Sequence, residues 1–118
     1  MSEKIEYPKK HSEAEVQASL WVTLRHHKFD ARLEVSAYSS NTSHRTRRLD
    51  VVVFKGKEPI CIIECKSWSD DYTRVARYQK VKNSKQIQRY KSLYALPVLV
   101  CARMGFIKQI VKEVQSLL

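Results

Sequence analysis

This chain is poor in glycine, proline, cysteine and acidic residues, and each scarcity excludes something. With 2 glycines and 3 prolines in 118 residues, no stretch has the composition of a flexible linker. A single domain over 1–118 is therefore expected, with the polar residues 1–11 as a flexible arm, disordered or touching a polyanion. No apolar run approaches the roughly 20 residues needed to cross a bilayer. The first apolar residues are scattered among charges, unlike a secretory leader. A cytoplasmic protein is expected. Cys61, Cys65 and Cys101 are an odd set, each within an apolar stretch, which argues for reduced core thiols rather than a disulfide framework. No His or Cys cluster accompanies them, so a zinc site is not expected.

Acidic residues number 12 against 22 Lys and Arg, a formal charge of +10. That balance favours a polyanionic partner. Nucleic acid leads. An anionic membrane surface comes second, because the pattern leaves no long basic amphipathic helix free to lie on one.

Ser12 and Glu15 have capping-box spacing, and Val16, Leu20 and Leu24 follow at helical intervals, which predicts a helix to about His27. From Ala31 to Tyr38, Leu33, Val35 and Ala37 alternate with polar residues as in a half-buried strand. A loop is expected from Ser39 to Thr46. Two β-branched runs, Leu49 to Phe54 and Ile60 to Cys65, flank a glycine-containing turn and predict a hairpin. The absence of proline and glycine between Tyr72 and Leu93, with apolar residues at roughly helical spacing, predicts a long helix with a break near Asn83. Pro97 to Cys101 reads as a buried strand and Gly105 to Leu118 as an amphipathic helix. The order αβββαβα implies an α/β (α+β) fold, a mixed central sheet flanked by helices.

Asp50, Glu64 and Lys66 interrupt the apolar middle of this sheet. Strand geometry turns Glu64 and Lys66 to one face, with Ile60 and Ile62 behind them. Cys61 and Cys65 take the opposite face. If the two runs pair as a hairpin, the Asp50 carboxylate approaches that of Glu64. Converging carboxylates are costly to desolvate unless a cation joins them, and hard oxygen donors suit Mg²⁺ or Mn²⁺. Such an ion with a nearby lysine has the chemistry of phosphodiester hydrolysis.

These residues resemble the PD-(D/E)XK nuclease superfamily, whose hallmark is an acid before one strand and an acid-x-lysine triplet at the end of the next. Asp50 and Glu64-Cys65-Lys66 match it. Glu15 matches an acid on the first helix, and Gln86 and Tyr90 match a Gln-x-x-x-Tyr pattern on the helix after the triplet. The chain departs from the pattern in having Leu49, not proline, before Asp50. The resemblance implies the restriction-endonuclease-like fold, metal ligation by Asp50, Glu64 and the main-chain carbonyl of Cys65, and a catalytic Lys66. It also associates Gln86 and Tyr90 with the active site and DNA.

Other residues admit two readings. Glu15 is explained equally by the capping box. Arg45, Arg47 and Arg48 suit phosphate contact or a solvated loop, and Lys85 and Arg89 suit DNA contact or solubility. Glu34 reads as a surface residue. Asp50, Glu64 and Lys66 themselves have a plain alternative, a surface pair at a strand end with an acid starting the neighbouring strand. The expected function is a Mg²⁺-dependent endodeoxyribonuclease acting as a homodimer or higher oligomer, because one small domain cannot cut both strands at once. The alternative is a catalytically silent nucleic-acid-binding subunit of a larger DNA-processing complex. Junction resolution, homing, restriction and mobile-element roles remain open.

Overall fold

A computed structural model describes residues 3–38, 45–67 and 85–118. The expected loop after Tyr38 and most of the expected long helix, with its break near Asn83, lie outside the described residues.

Helix α1, Glu13–His26, begins at Ser12, whose hydroxyl accepts the Glu15 N–H while the Glu15 carboxylate accepts the Ser12 N–H. This reciprocal cap satisfies two donors that have no partner inside a helix. Its inner stripe, Val16, Leu20 and Leu24, is wholly buried, worth roughly 1.5–3 kcal/mol per side chain. The helix ends with Lys28 at φ 70°, the Lys28 N–H bonding Arg25 O and the Phe29 N–H bonding Leu24 O. That pattern reverses the chain into the sheet. The Trp21 indole N–H then ties α1 to the first strand by donating to Ala31 O at 2.8 Å.

Four strands follow in the sheet order β1-β2-β3-β4: β1 Asp30–Tyr38, β2 Arg45–Lys55, β3 Glu58–Cys65 and β4 Val98–Cys101. The first three pair antiparallel, and β4 joins β3 in parallel. A parallel neighbour requires a crossover, and helix α2, Lys85–Tyr94, lies on it. A single turn of 3₁₀ helix, Met104–Phe106, leads into α3, Ile107–Leu117. The fold is thus the expected mixed sheet with helices around it.

The hairpin turn is Gly56-Lys57, with φ 56° and 73°. Two successive positive φ values define the two-residue turn whose twist matches that of the strands it joins. Next to it the pairing slips from Val53–Cys61 to Phe54–Pro59, leaving Ile60 as an extra residue. Ile60 therefore packs with the cluster beneath α1 and not beside Ile62, which corrects the expectation that both back Glu64.

Each face of the sheet carries its own core. Val51, Val53, Cys61, Ile63, Cys65 and Cys101 pack against the stripes of α1 and α3, and Val52, Ile62, Val98 and Val100 pack with Ile87 of α2. The apolar stripe of α3 is buried through Val114, whereas Leu117 and Leu118 stay exposed. Among the described residues no helix is long and apolar enough to cross a membrane.

β2 starts earlier than its apolar run. Arg45, Arg47 and Arg48 lie on the strand opposite Tyr38, Ala37 and Ser36, so Arg45 and Thr46 belong to β2 and not to the expected loop. A backbone ladder needs no apolar side chain at its solvated end, and hydropathy alone therefore misses it.

β1 differs from its pattern in a second way. Ala31 faces the α1 side, whereas Val35 and Ala37 face the α2 side and Leu33 is exposed. β2 changes face at the same level, with Val51 on the α1 side and Leu49 on the other. Between the Leu33–Val51 and Val35–Leu49 pairs sit Glu34, at φ 50°, and Asp50.

Candidate active site

The β2–β3 register is Val53–Cys61, Val52–Ile62, Val51–Ile63, so one step further along are Asp50 and Glu64. Across the parallel pair, the Ile62 N–H donates to Pro97 O and the Lys66 N–H donates to Cys101 O at 2.8 Å. Strand alternation then turns the Cys65 N–H the other way, toward β2. There it donates to Asp50 Oδ2 at 2.9 Å. The Asp50 carboxylate thus takes the place of a strand partner just where the β2–β3 ladder ends. The Cys65 carbonyl leaves the backbone on that same side.

Asp50 is half-buried, and burial above all raises its carboxyl pKa. The Cys65 N–H opposes that rise, the charge of Glu34 adds to it, the Lys66 ammonium opposes it, and Glu13 adds to it. Burial is thus the main reason that the charged form of Asp50 is disfavoured. Glu64 is 5% exposed and is the one charged residue fully buried among the described residues. It stands two residues beyond Ile62, on the sheet face that meets α2. Lys66 is half-buried at the exit of β3.

The Cys65 thiol is buried in the α1-side core, and burial above all drives its pKa far upward, with the charges of Asp50 and Glu64 adding to the rise. Burial likewise raises Cys61 to about 11 and Cys101 to about 12. All three are free and buried thiols, as their apolar settings predict. The donors at this end of the sheet are consequently oxygens. Among the described residues, no three His, Cys, Asp or Glu side chains are grouped closely enough to hold a metal ion by themselves. Two carboxylates with a carbonyl suit Mg²⁺, which commonly takes one or two protein carboxylates and completes its shell with water and phosphate.

Glu15 belongs to the N-terminus of α1. It is exposed, caps Ser12 and sits 3.2 Å from His11 Nδ1, a contact that more than any other lowers its carboxyl pKa. The α1 residues that approach Asp50 are others. Gln17 donates from Nε2 to Asp50 O at 2.8 Å and to Glu34 Oε1 at 2.9 Å. The charge of Glu13 reaches both Asp50 and Cys65. Glu13 and Gln17 are one turn apart beside the buried stripe, and that spacing was the available sequence signal. Glu34 has no comparable signal, since a glutamate at a polar strand position reads as solvated.

Arg48 is exposed on β2, while the side chains of Arg45 and Arg47 lie outside the described ones. Lys85, Gln86, Arg89 and Tyr90 are on α2, whose Ile87 packs on the sheet face that carries Ile62; their side chains too lie outside the described ones. The N-terminal arm is tied down at its end. Lys10 Nζ donates to Ser67 O at 3.3 Å and the Ser67 hydroxyl donates to His11 O, directly after Lys66.

A four-stranded mixed sheet with helices on both faces defines an α/β (α+β) domain. Residues 7–107 match the family of the type I restriction enzyme R protein N terminus, and the chain belongs to that family. No curated protein and no solved structure matches the chain significantly.

Proposed function

We propose that this domain is a PD-(D/E)XK-type nuclease that hydrolyses DNA phosphodiester bonds with Mg²⁺ or Mn²⁺ bound by Asp50, Glu64 and the main-chain carbonyl of Cys65. The observation that carries the reading is the Asp50 carboxylate on the Cys65 N–H, which brings the first acid to the Glu64-Cys65-Lys66 triplet. Membership of a restriction-enzyme family supports DNA as the substrate.

When bound, the ion supplies charge neutralisation at the phosphate and a more acidic water. Asp50 and Glu64 hold the negative charge that recruits it. Lys66 orients the attacking water and stabilises negative charge that develops on the phosphate. In this reading Arg45, Arg47 and Arg48 contact the flanking DNA backbone together with Lys85, Arg89 and Tyr90, and Gln86 takes part in catalysis as the resemblance implies. Cutting both strands requires a second centre, supplied by another copy of the chain.

A second reading is a DNA-binding part of a larger restriction complex that performs no chemistry of its own. It is favoured by the absence, among the described residues, of a third acid grouped with the first two. Incubation with supercoiled plasmid in Mg²⁺, Mn²⁺ or EDTA separates the two. Metal-dependent nicking supports the nuclease, and inertness with retained binding supports the silent module.

A further inference from the structure

In a regular antiparallel ladder Asp50 would pair with the residue opposite it on β1. That residue is Glu34, and the Glu34–Asp50 pair is missing between Leu33–Val51 and Val35–Leu49. Glu34 instead has φ 50°, a conformation that is strained for a residue with a side chain and persists only where its surroundings enforce it. The carbonyl of Asp50 still accepts a hydrogen bond, but from α1, through Gln17 Nε2 at 2.8 Å. A side-chain amide nitrogen has two hydrogens. The second goes to Glu34 Oε1 at 2.9 Å, so one amide holds both strands at the level where they change face.

We propose that Gln17 is a positioning residue for Asp50. Its amide replaces the missing strand partner, holds the Asp50 main chain in the kink, and so delivers the carboxylate to the Cys65 N–H. Asp50 is gripped at two points, its carbonyl by helix α1 and its carboxylate by strand β3. The kink also turns Leu49 to the α2 face while Val51 keeps to the α1 face, a change of direction that an unbroken strand could not make. Glu34 is the amide's counterweight: by accepting the second hydrogen it fixes the rotation of the Gln17 side chain. This role rests on the nuclease reading, in which Asp50 is a metal ligand. Groups that orient a ligand commonly change metal affinity or activity 10–100-fold when removed.

The test is Gln17→Met, which keeps length and shape but has no donor, read in three ways on the whole chain. Backbone amide exchange by NMR should show the Cys65 N–H exchanging at least about tenfold faster than in the wild type, the loss expected for one hydrogen bond. The Leu20 and Val53 amides, which report on the core, should keep their rates. Mn²⁺ binding followed by the resonance of the free ion should weaken roughly tenfold, with cleavage falling in parallel at fixed Mn²⁺ and partly recovering at high Mn²⁺. Equal acceleration of Cys65, Leu20 and Val53 would show a merely structural role and overturn the proposal. So would an unchanged Cys65 amide in Q17M when the wild type binds Mn²⁺ and cuts DNA, which would leave the nuclease reading standing. A wild type that neither binds Mn²⁺ nor cuts overturns the nuclease reading, and the positioning role with it.

Discussion

Replacing Glu64 by glutamine keeps the shape of the side chain and removes its charge, at a position only 5% exposed. A neutral amide is a much weaker ligand for a hard divalent ion than a carboxylate. Melts in EDTA give each protein its ion-free reference, and adding Mn²⁺ separates the two. A ligand at about 100 times its Kd stabilises the state it binds by ~2.7 kcal/mol. For 118 residues, with an unfolding entropy of about 2.1 cal/mol/K each, the total is ~0.25 kcal/mol/K and the expected rise in Tm is ~11 °C. E64Q, with one donor lost, should show roughly a third of that rise or less. Thermal melts of both proteins in EDTA and across a Mn²⁺ series measure this without any cleavage. An unmoved wild-type Tm at millimolar Mn²⁺, or an equal rise in E64Q, would refute the assignment of Glu64 as a ligand.

Asp50→Asn tests the same site through pH. Because burial raises the folded carboxyl above its ordinary value of 3.8, the native state holds this proton more tightly than the unfolded chain. Stability from this group is present at low pH and is lost as pH rises through the folded pKa. The stability of the wild type relative to D50N, measured in urea without divalent ions, should accordingly fall from pH ~3.8 toward neutrality; a difference that grows with pH would contradict this. Leu20→Ala empties a fully buried position under the sheet and should cost about 2–5 kcal/mol in urea unfolding. Ser12→Ala removes the acceptor for the Glu15 N–H and should cost about 1 kcal/mol, with cleavage per folded molecule unchanged.

The parts of this fold that were legible in the sequence are those in which periodicity and chain punctuation agree. The capping box starts α1 one residue after Ser12, and Gly56-Lys57 closes the hairpin in a register that sets Asp50 beside the Glu64 triplet. Four features were not legible, each because a tertiary contact decides it. Ile60 leaves the face of Ile62 because a bulge inserts one residue, which the alternation of apolar types does not record. Arg45 joins β2 because Tyr38 of β1 offers it a partner, with Thr46 as the extra residue at the register shift. Glu34 adopts a left-handed conformation that its residue type disfavours, and Gln17 matters through two acceptors far from it in sequence. On α1, the residue three positions after Ser12 is used by the cap, so it is the turn of Glu13 and Gln17 that reaches toward Asp50.

The central claim is that Asp50, Glu64 and Lys66 form a hydrolytic centre, and its most direct test is cleavage of supercoiled plasmid by the wild type and by Lys66→Ala, with DNA binding measured on the same samples. Metal-dependent nicking by the wild type, reduced at least about 100-fold in K66A with binding largely retained, is the predicted result. Undiminished nicking by K66A, or no nicking by the wild type in Mg²⁺ or Mn²⁺, would contradict it.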